Sequence, residues 1–397
     1  MLDWLAYGLT SLFALDRVLK LTAILHFFRR PIPPAPVRWP SITLFQPITR
    51  GVSGLPDSLR SRLRLDYPAP IQHLLICDAG DSEMIAECEA ALGQGQAAVP
   101  TVFPLLQAEI MRVETHHGAI ATKTEKLLAA IPHATGEVYW FLDDDVALRP
   151  EAARLMIPYL YQPGAGAVFG LACYTNWRTL WSSLMSAFVN ANALLSYIPI
   201  TYLTEPYTIT GHCFALRREV FEAAGGFSSM EQRIDDDHEL ARRVRQLGLR
   251  CVQTPMIYDV NNDFDSLSAY NKQVKRWFIF PRQAMLPYLT RWEKTVSFIG
   301  SASNLLPALL VLLAVVTRRR SALQALGMSL GLFIAVYAVC QRGYLKRHMP
   351  VKRWVLLPFV ALIIPLQILK ALISNEEIEW RGQRLRIRRG GKMEVLS

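Results

Sequence analysis

The chain contains three consecutive aspartates, Asp143, Asp144 and Asp145, directly after the apolar run Val138–Leu142. Such a run is typical of a strand buried on both faces of a sheet, and ligands of open α/β sheets bind just beyond the carboxyl ends of strands. Asp143 and Asp145 are two residues apart, so on an extended backbone they point the same way and can share one hard divalent ion. The alternative is a solvated acidic turn that caps a helix starting near Pro150.

A second carboxylate, Asp78, ends another apolar run at residues 72–77. At that position it could accept a hydrogen bond from a nucleobase N–H, or it could cap the next helix. The ligand role is favoured for Asp78, whereas Asp81 follows Gly80 and is better explained as a turn residue.

A third acidic group, Asp235 to Asp237, precedes a stretch with helical spacing that runs from residue 236 to residue 246. The helix dipole explains one acid in a first turn but not three in succession. Any one of the three could be a general base, and His238 is ranked lower, because a lone histidine on a helix is more often merely exposed.

A fourth group combines an amide, a guanidinium and an indole. Gln273 and Trp277 are four residues apart on a predicted helix, and Arg276 lies beside them. Together they could hold a sugar and a diphosphate, although arginine and tryptophan are also common at a membrane surface.

The elements that must position these groups alternate along the chain. Because predicted strands alternate with predicted helices, we expect a parallel sheet with helices on both faces. No glycine-rich dinucleotide or phosphate-loop motif is present. The predicted strands are residues 41–47, 72–77, 99–106, 137–142 and 166–172, and the predicted helices are residues 122–131 and 150–161.

Composition indicates a membrane-associated protein. Of 397 residues 51% are hydrophobic, which suits a soluble α/β domain joined to a few membrane spans. The net charge of +10 comes from basic residues beside apolar segments, without the interleaved aromatics of a nucleic-acid surface, so nucleic acid is not an expected partner. Six scattered cysteines suggest neither a zinc site nor a disulfide framework, in agreement with a reducing compartment.

Five regions are predicted along the chain. A membrane-spanning anchor is expected at 1–28, although Asp16, Arg17 and Lys20 leave an interfacial helix as a rival. A stiff proline-rich linker at 29–40 leads to an α/β domain at 41–292, with interfacial helices near 178–203, possible as a helix pair, and near 266–292. Apolar segments at 296–317, 322–340 and 354–374 form a transmembrane or re-entrant region at 293–374, followed by a basic tail at 375–397.

Charge distribution constrains the topology of these regions. If all three C-terminal segments crossed the membrane, the basic tail and the arginines at 318–320 would both lie opposite the α/β domain, against the positive-inside rule. A re-entrant or interfacial last segment, broken by Pro358 and Pro365, returns the tail to the side of the α/β domain, but leaves the arginine triplet on the other side.

The order of these motifs resembles the lipid-directed and processive inverting glycosyltransferases of the family 2 type with a GT-A fold, and more closely the ceramide glucosyltransferases of family 21. The resemblance covers nearly all of the chain after residue 40. Besides the acidic clusters and Gln-x-x-Arg-Trp it rests on several blocks: Pro-Ile-Thr-Arg-Gly-Val at 47–52, Leu-Asp-Tyr-Pro at 65–68, Thr-Gly at 210–211, Arg-Arg at 217–218, Ala-Gly-Gly-Phe at 224–227 and Trp-Arg-Gly-Gln-Arg at 380–384.

The resemblance implies a role for each matching residue. Asp145 would ligate a divalent cation, Mg²⁺ or Mn²⁺, and Asp237 would deprotonate the acceptor hydroxyl. The other matching residues would bind the nucleotide-sugar donor: Asp78 at the uracil, Asp143 near the ribose and diphosphate, Lys123 as a basic contact, and Gln273, Arg276 and Trp277 closing over the diphosphate and acceptor.

The implied function is transfer of a sugar, with UDP-glucose as the expected donor and the hydroxyl of a lipid as the acceptor, giving a β-glycolipid. Ceramide leads among acceptors, although Phe169 stands where ceramide glucosyltransferases often have a histidine. A hopanoid or other lipid acceptor, with UDP-N-acetylglucosamine as donor, is the alternative, and a processive polysaccharide synthase is disfavoured by the few membrane segments. The expected location is a bacterial inner membrane with a cytoplasmic catalytic domain, or a Golgi membrane in a eukaryote.

Overall fold

The computed structural model describes residues 2–49, 51, 54–98, 106–116, 121–380 and 383–396. Arg50, Val52, Arg381 and Gly382 of the sequence blocks above lie outside these ranges. In chain order the described strands are β1 (Ile42–Pro47), β2 (Ile71–Asp78), β3 (Leu106–Val113), β4 (Val138–Leu142), β5 (Val146–Ala147), β6 (Ala165–Tyr174), β7 (Cys213–Arg217), β8 (Arg250–Val260), β9 (Glu377–Trp380), β10 (Gln383–Ile387) and β11 (Met393–Val395).

Three of the described α-helices begin at a side-chain cap. Thr179 and Ser266 each accept a hydrogen bond from a first-turn N–H, and Thr290 and Glu293 form a reciprocal capping box. The helices are α1 (Leu2–Arg29), α2 (Leu55–Arg62), α3 (Ser82–Ala98), α4 (Thr122–Ala130), α5 (Ala152–Leu160), α6 (Leu180–Ile200), α7 (Arg218–Ala223), α8 (Asp236–Gln246), α9 (Leu267–Phe280), α10 (Arg291–Ala302), α11 (Leu306–Thr317), α12 (Arg320–Cys340) and α13 (Leu356–Ile373).

The central sheet has the described strand order β3-β2-β1-β4-β7-β6-β8-β5. Neighbours from β3 to β4 are parallel, β7 is antiparallel to both β4 and β6, β6 and β8 are parallel, and β5 is antiparallel to β8. The carboxyl ends of β1, β2, β4, β6 and β8 and the amino end of β7 therefore meet at one edge. Every residue of β1 and β4 is buried, as an apolar run in mid-sheet requires.

The mixed α/β fold class is confirmed, but two details of the sheet differ from the prediction. The sheet is mixed rather than parallel, because β7 and β5 run against their neighbours. The third described strand, Leu106–Val113, continues past residue 106, where the predicted strand 99–106 ended, and residues 99–105 of that prediction lie outside the described residues. Its residues are only partly buried, as expected for the edge of a sheet, so an apolar run did not mark it.

Four helical segments of the described chain are long and apolar enough to cross a membrane: Leu180–Ile200, Arg291–Thr317, Arg320–Leu345 and Val351–Lys370. The first is one continuous helix, α6, rather than a helix pair, and much of it is buried against β6 and the surrounding helices. Helix α1 is not among the four, since charged residues interrupt it. Arg17 donates to Asn304 Oδ1 at 2.7 Å, Lys20 donates to the Gly300 carbonyl at 2.7 Å, and Asp16 pairs with Lys20.

Helices α1, α11 and α12 lie side by side over most of their lengths. At one end Arg319, between α11 and α12, pairs with Asp3 at 2.6 Å. At the other end the ring of Phe28 stacks on Tyr344, just beyond α12, with centroids 4.2 Å apart. The span from residue 3 to residue 28 is about 38 Å at the helical rise of about 1.5 Å per residue. The Phe28 end of α1 packs on β6, so this bundle has one end at the α/β domain and one end far from it.

The predicted basic tail at 375–397 contains a three-stranded antiparallel sheet with the strand order β11-β10-β9. Its strands carry alternating basic and acidic side chains: Glu377 pairs with Arg386 at 2.9 Å and with Arg384 at 3.2 Å. Because acidic side chains on one strand pair with basic side chains on the next, this basic segment can form a sheet. We call β9, β10 and β11 the C-terminal sheet.

Candidate active site

The loop that carries Asp143, Asp144 and Asp145 is fixed by hydrogen bonds from three different elements. The N–H of Asp143 donates to the His212 carbonyl at 2.9 Å, and the Asp143 carbonyl accepts from Gln46 Nε2 at 3.2 Å. The Asp145 carbonyl accepts from the N–H of Asn261 at 3.2 Å. The carboxylates are thus held in place by β1, the start of β7 and the end of β8 before any ligand binds.

Lys123, in the first turn of α4, joins two of the acidic clusters. Its Nζ lies 2.9 Å from Asp143 Oδ1 and 3.4 Å from Asp236 Oδ2, and it is 3.4 Å from the Gly211 carbonyl. Burial disfavours the ammonium, but Asp143 and Asp236 outweigh burial, so the pKa of Lys123 is raised above its ordinary value. Lys123 is therefore a fixed cation between the loop after β4 and the start of α8.

Asp145 has the opposite surroundings. Burial raises its pKa well above the ordinary aspartate value, and repulsion by Asp144 and Asp143 raises it further. Its Oδ1 is buried, and within the described residues it has no hydrogen-bond partner. A buried carboxylate in this position is unstable as an anion unless a cation lies beside it.

These residues fit a hard divalent cation. No group of three or more histidine, cysteine or acidic side chains in the described part of the chain is arranged to enclose a metal ion. Mg²⁺ and similar ions, however, are commonly held by one or two carboxylates together with the phosphates of a substrate. Asp145, with Asp143 on the same loop, supplies such a half-site.

The acidic loop lies in a cleft of about 320 Å³ at the carboxyl edge of the sheet. Five of the residues predicted to bind the donor or the metal line it: Lys123, Asp143, Asp145, Gln273 and Arg276. The other described lining residues include Thr49, Asp144, His212, Arg233, Asp236, Asn261, Asn262, Asp263, Phe280 and Trp380.

Helix α9 presents two of its three predicted functional residues to the cleft. Gln273 and Arg276 line the cleft, being three residues apart and hence on one face. Trp277 is not among the lining residues and instead packs between the rings of Tyr174 and Phe188, with centroid distances of 6.2 Å to each. The structure therefore separates Trp277 from the guanidinium and places it toward α6.

The acids at the start of α8 have three distinct environments, and of the three only Asp236 is among the described residues that line the cleft. Asp235 pairs with Arg233 at 2.8 Å, and Asp236 with Lys123. Asp237 accepts a hydrogen bond from the His238 N–H at 2.7 Å, and burial together with repulsion by Asp236 raises its pKa to about 7. A methyl group on Gly211 would lie 2.8 Å from Asp237 Oδ2, so the backbone at 211 packs directly on this carboxylate.

Asp78 lies at the same edge of the sheet but not among the described residues that line the cleft. Its carboxylate accepts hydrogen bonds from the Gly80 N–H at 2.9 Å and from Thr115 Oγ1. It therefore ties the end of β2 to the segment after β3, and its predicted contact with a nucleobase stays a prediction.

Sequence reasoning missed His212, Asn261, Asn262 and Asp263 in the cleft. His212 directly precedes β7, and desolvation lowers its pKa below the ordinary histidine value. The polar run Asn261 to Asp263 directly follows β8, so the rule that drew attention to Asp143 would also have found it. His212 was harder to find from the sequence, because it precedes its strand. It reaches this edge only because β7 is antiparallel to its neighbours, so that the amino end of β7 lies here.

A GT-A type glycosyltransferase is the class that this fold and site define, with an Asp-x-Asp loop after a central buried strand, a cationic side chain between two acidic clusters, and an arginine on the facing helix. The chain belongs to glycosyl transferase family 21, whose family profile matches residues 9–393.

Two curated proteins are similar to parts of the chain. The O-antigen biosynthesis protein RfbC of Myxococcus xanthus is 29% identical over 146 residues, which cover 32% of this chain and 11% of that protein. The uncharacterised protein y4gI of Sinorhizobium fredii is 26% identical over 188 residues, covering 44% of this chain and 20% of that protein. The chain thus matches only a small part of each relative.

Two solved glycosyltransferase structures are also similar. The mannosyltransferase PcManGT from Pyrobaculum calidifontis, in complex with GDP-Man and Mn²⁺, has a TM-score of 0.49 and 16% identity, covering 94% of this chain and 99% of that one. GalNAc-T7, with UDP, GalNAc and Mn²⁺, has a TM-score of 0.40 and 12% identity, covering 67% and 55%.

Asp145→Asn tests whether the buried carboxylate is a cation ligand. Asparagine resembles the uncharged aspartic acid that burial favours without a cation, so we expect the free energy of unfolding to stay within about 1 kcal/mol of wild type. Mn²⁺ with UDP should raise the melting temperature of the wild type but not of the variant, and sugar transfer should fall at least about 100-fold.

The matched control is Asp66→Asn, an exposed aspartate paired with Arg154 away from the cleft. It should keep both the Mn²⁺-dependent stabilisation and the activity. An Asp145→Asn protein that is still stabilised by Mn²⁺ and UDP as strongly as wild type would contradict the assignment.

Proposed function

We propose that the chain is a membrane-bound inverting glycosyltransferase that moves a sugar from a nucleotide sugar to the hydroxyl of a lipid. UDP-glucose is the proposed donor and ceramide the proposed acceptor, giving a β-glycolipid. The observation that carries the proposal is the cleft in which Asp143, Asp145, Lys123 and Arg276 meet. It combines a carboxylate half-site for a cation with fixed cations for a diphosphate, and apolar helices lie beside it.

The charges of the cleft suit departure of a nucleoside diphosphate. Lys123 from α4 and Arg276 from α9 bring positive charge to the cleft, and they stabilise the negative charge that develops on the leaving phosphate. A divalent ion held by Asp145 and Asp143 would neutralise the same diphosphate. Because the loop carrying these aspartates is already hydrogen-bonded in place, little reorganisation is needed as the charge develops.

Asp237 is the proposed base. Asp235 and Asp236 are both committed to ion pairs, with Arg233 and Lys123 respectively. Asp237, with a pKa of about 7, matches the proton affinity that efficient general bases have near neutral pH. His238 is a poorer candidate because burial lowers its pKa to about 4. A single displacement assisted by Asp237 inverts the anomeric carbon, so an α-linked donor gives a β-glycoside.

A lipid acceptor is supported by the apolar surface of the helices. Large hydrophobic side chains are exposed along four of them, more than scattered surface residues would explain. They include Leu12, Leu15, Val18 and Leu19 on α1, Leu312, Val315 and Val316 on α11, Leu323 and Met328 on α12, and Phe359, Leu366, Leu369 and Leu372 on α13. Trp277 of α9 stacks on Phe188 of α6, so aromatic rings join the helix that lines the cleft to an apolar helix.

The contacts of the helix ends support a definite topology. Helix α13 has both ends at the α/β domain: Arg353, just before it, donates to the Arg178 carbonyl at 3.1 Å, and Arg282 donates to the Ser374 carbonyl at 2.9 Å. Helices α1, α10 with α11, and α12 each run between the α/β domain and the distant end at Arg319. We therefore infer three membrane crossings, with α13 along the interface and the C-terminal sheet on the catalytic side.

This topology retains the predicted anchor and an interfacial last segment. It leaves the arginines at 318–320 on the side opposite the catalytic domain, against the positive-inside rule. The pair between Arg319 and Asp3 offsets part of that charge. The burial of Arg17 and Lys20 against α10 and the turn after it removes the main objection to α1 as a span, since their charges face protein and not lipid.

The function is tested by incubating membranes that contain the protein with labelled nucleotide sugars and lipids. With Mn²⁺ present we expect label from UDP-glucose in a glycosylated ceramide of β configuration, and none with Asp145→Asn. Transfer to a hopanoid, or from UDP-N-acetylglucosamine, would identify the alternative pair, and a long polysaccharide a processive synthase. Absence of transfer to every lipid and sugar acceptor would refute the proposal.

The activity should depend on pH through Asp237. Because the base acts as the anion and its pKa is raised to about 7, kcat/KM should rise about tenfold per pH unit below pH 7 and level off above it. The check is the initial rate between pH 5.5 and 8.5 at subsaturating donor. Asp237→Asn should lose most activity at every pH, whereas a flat wild-type profile would exclude Asp237 as the base.

The topology predicts which side each segment faces. The six native cysteines are buried, so single cysteines introduced at exposed positions can be labelled selectively. In sealed vesicles a membrane-impermeant maleimide should react with Arg320→Cys on one side, and with Lys392→Cys and Asp57→Cys only on the other. Labelling of Lys392→Cys on the same side as Arg320→Cys would show that α13 crosses the membrane.

A further inference from the structure

The C-terminal sheet is a part of the chain to which the proposed reaction assigns no role. It follows the last apolar helix, yet Trp380 at the end of β9 lines the cleft. Its contacts lead from there to three elements that carry proposed functional residues, namely α9, α8 and α4.

The first set of contacts is with α9, which carries Gln273 and Arg276. Lys272 pairs with Glu379 of β9 at 2.6 Å, and Lys275 donates to Asn375 Oδ1 at 2.9 Å. Beyond the helix, Gln283 Nε2 donates to Glu376 at 2.8 Å, and the Gln283 carbonyl accepts from the Gly390 N–H at 2.8 Å. These bonds fix the sheet along the same helix that faces the cleft.

The second set joins the sheet to the segment just before α8, and through it to α4. The Met393 N–H donates to the Gln232 carbonyl at 2.9 Å, and Arg233 forms an antiparallel bridge with Lys392. On its other side the same segment binds α4, since the Ala121 N–H donates to the Glu231 carbonyl at 2.7 Å. Backbone hydrogen bonds thus connect β11, through residues 231–234, to the turn that carries Lys123.

A small hydrophobic core lies beneath these bonds. It contains buried side chains from α4, α9 and all three strands of the C-terminal sheet, so it forms only when the sheet is docked. Its members are Ala121, Ile279, Ile378, Leu385, Ile387 and Met393.

The tightest contact is between Gly391 and Asp235. Gly391 has a φ of +87°, and a methyl group there would lie 2.1 Å from Asp235 Oδ1. Asp235 is itself buried and paired with Arg233, and it directly precedes α8. The turn between β10 and β11 therefore packs on the residue that sets the position of Asp236 and Asp237.

We propose that the C-terminal sheet is a positioning element of the active site, which holds the first turn of α8 against α4 and α9 and thereby sets the position of Asp237. Gly391 is its main positioning residue, acting through Asp235. This inference rests on the proposed function, since Asp237 is there the base. It adds that the segment following the membrane helices is required for turnover.

Gly391→Ala, in the full-length protein, tests the proposal. Because the added methyl group displaces Asp235, we expect kcat to fall about tenfold or more while the donor KM stays within about threefold. The matched control is Gly248→Ala at the other end of α8, where φ is +75° and a methyl group meets nothing within 4 Å. It carries similar backbone strain and should leave kcat within about twofold.

Hydrogen exchange gives a readout that needs no substrate. Amides of residues 231–239 should exchange faster in Gly391→Ala than in wild type, and should be unchanged in Gly248→Ala. If wild type transfers no sugar, the proposed function fails, whereas the exchange result still decides whether the sheet holds α8. Wild-type kcat and unchanged exchange in Gly391→Ala would overturn the inference.

If Gly391→Ala does not fold, reversing the charges of the Lys272–Glu379 pair gives a second test. Lys272 and Glu379 are both about half exposed, so reversal of either is expected to be tolerated. Lys272→Glu and Glu379→Lys should each lower kcat about two- to fivefold by repulsion, and the double variant should restore it. Equal turnover in the wild type, both single variants and the double variant would overturn the inference.

Discussion

Repulsion between carboxylates at the carboxyl edge of the sheet is the constraint on which the rest of the structure depends. Asp143, Asp144, Asp145, Asp236 and Asp237 are gathered at one end of the β4 strand and the facing helix α8. Lys123 offsets two of them directly, and Asp145 is left buried with its charge disfavoured. A site built in this way has a strong electrostatic preference for a cation and for a cation-bound anionic ligand, and hydrogen bonds already hold its loop in place.

Contacts between residues far apart in the chain hold these carboxylates in position. The acidic loop is fixed by Gln46, His212 and Asn261, which come from three separate parts of the chain. The acidic helix is fixed from the C-terminus, through the contact of Gly391 with Asp235. The apolar helices α10 to α13 lie between α9 and the C-terminal sheet in sequence. The contacts of the C-terminal sheet with α8 and α9 can therefore form only after these helices have been placed.

Charged side chains in the helical bundle are likewise satisfied by partners within the protein. Arg17 and Lys20 would be costly in a lone membrane helix, but their hydrogen bonds to Asn304 and Gly300 satisfy them within the protein. Asp3 and Arg319 pair at the distant end. Helix α1 therefore depends on its neighbours, which is why hydropathy alone gives an ambiguous reading of this segment.

The sequence by itself determined the local elements and the chemistry of the loop after β4, because buried apolar runs and helical spacing depend on near neighbours. It placed α8 at residues 236–246, as observed, and it marked Lys123, Asp143, Asp145, Gln273 and Arg276, which the cleft brings together. Only the tertiary structure decided that β7 runs antiparallel and brings in His212, that Trp277 turns toward Phe188, and that the basic tail folds against α9. Those outcomes depend on pairings between residues far apart in the chain, which no local pattern records.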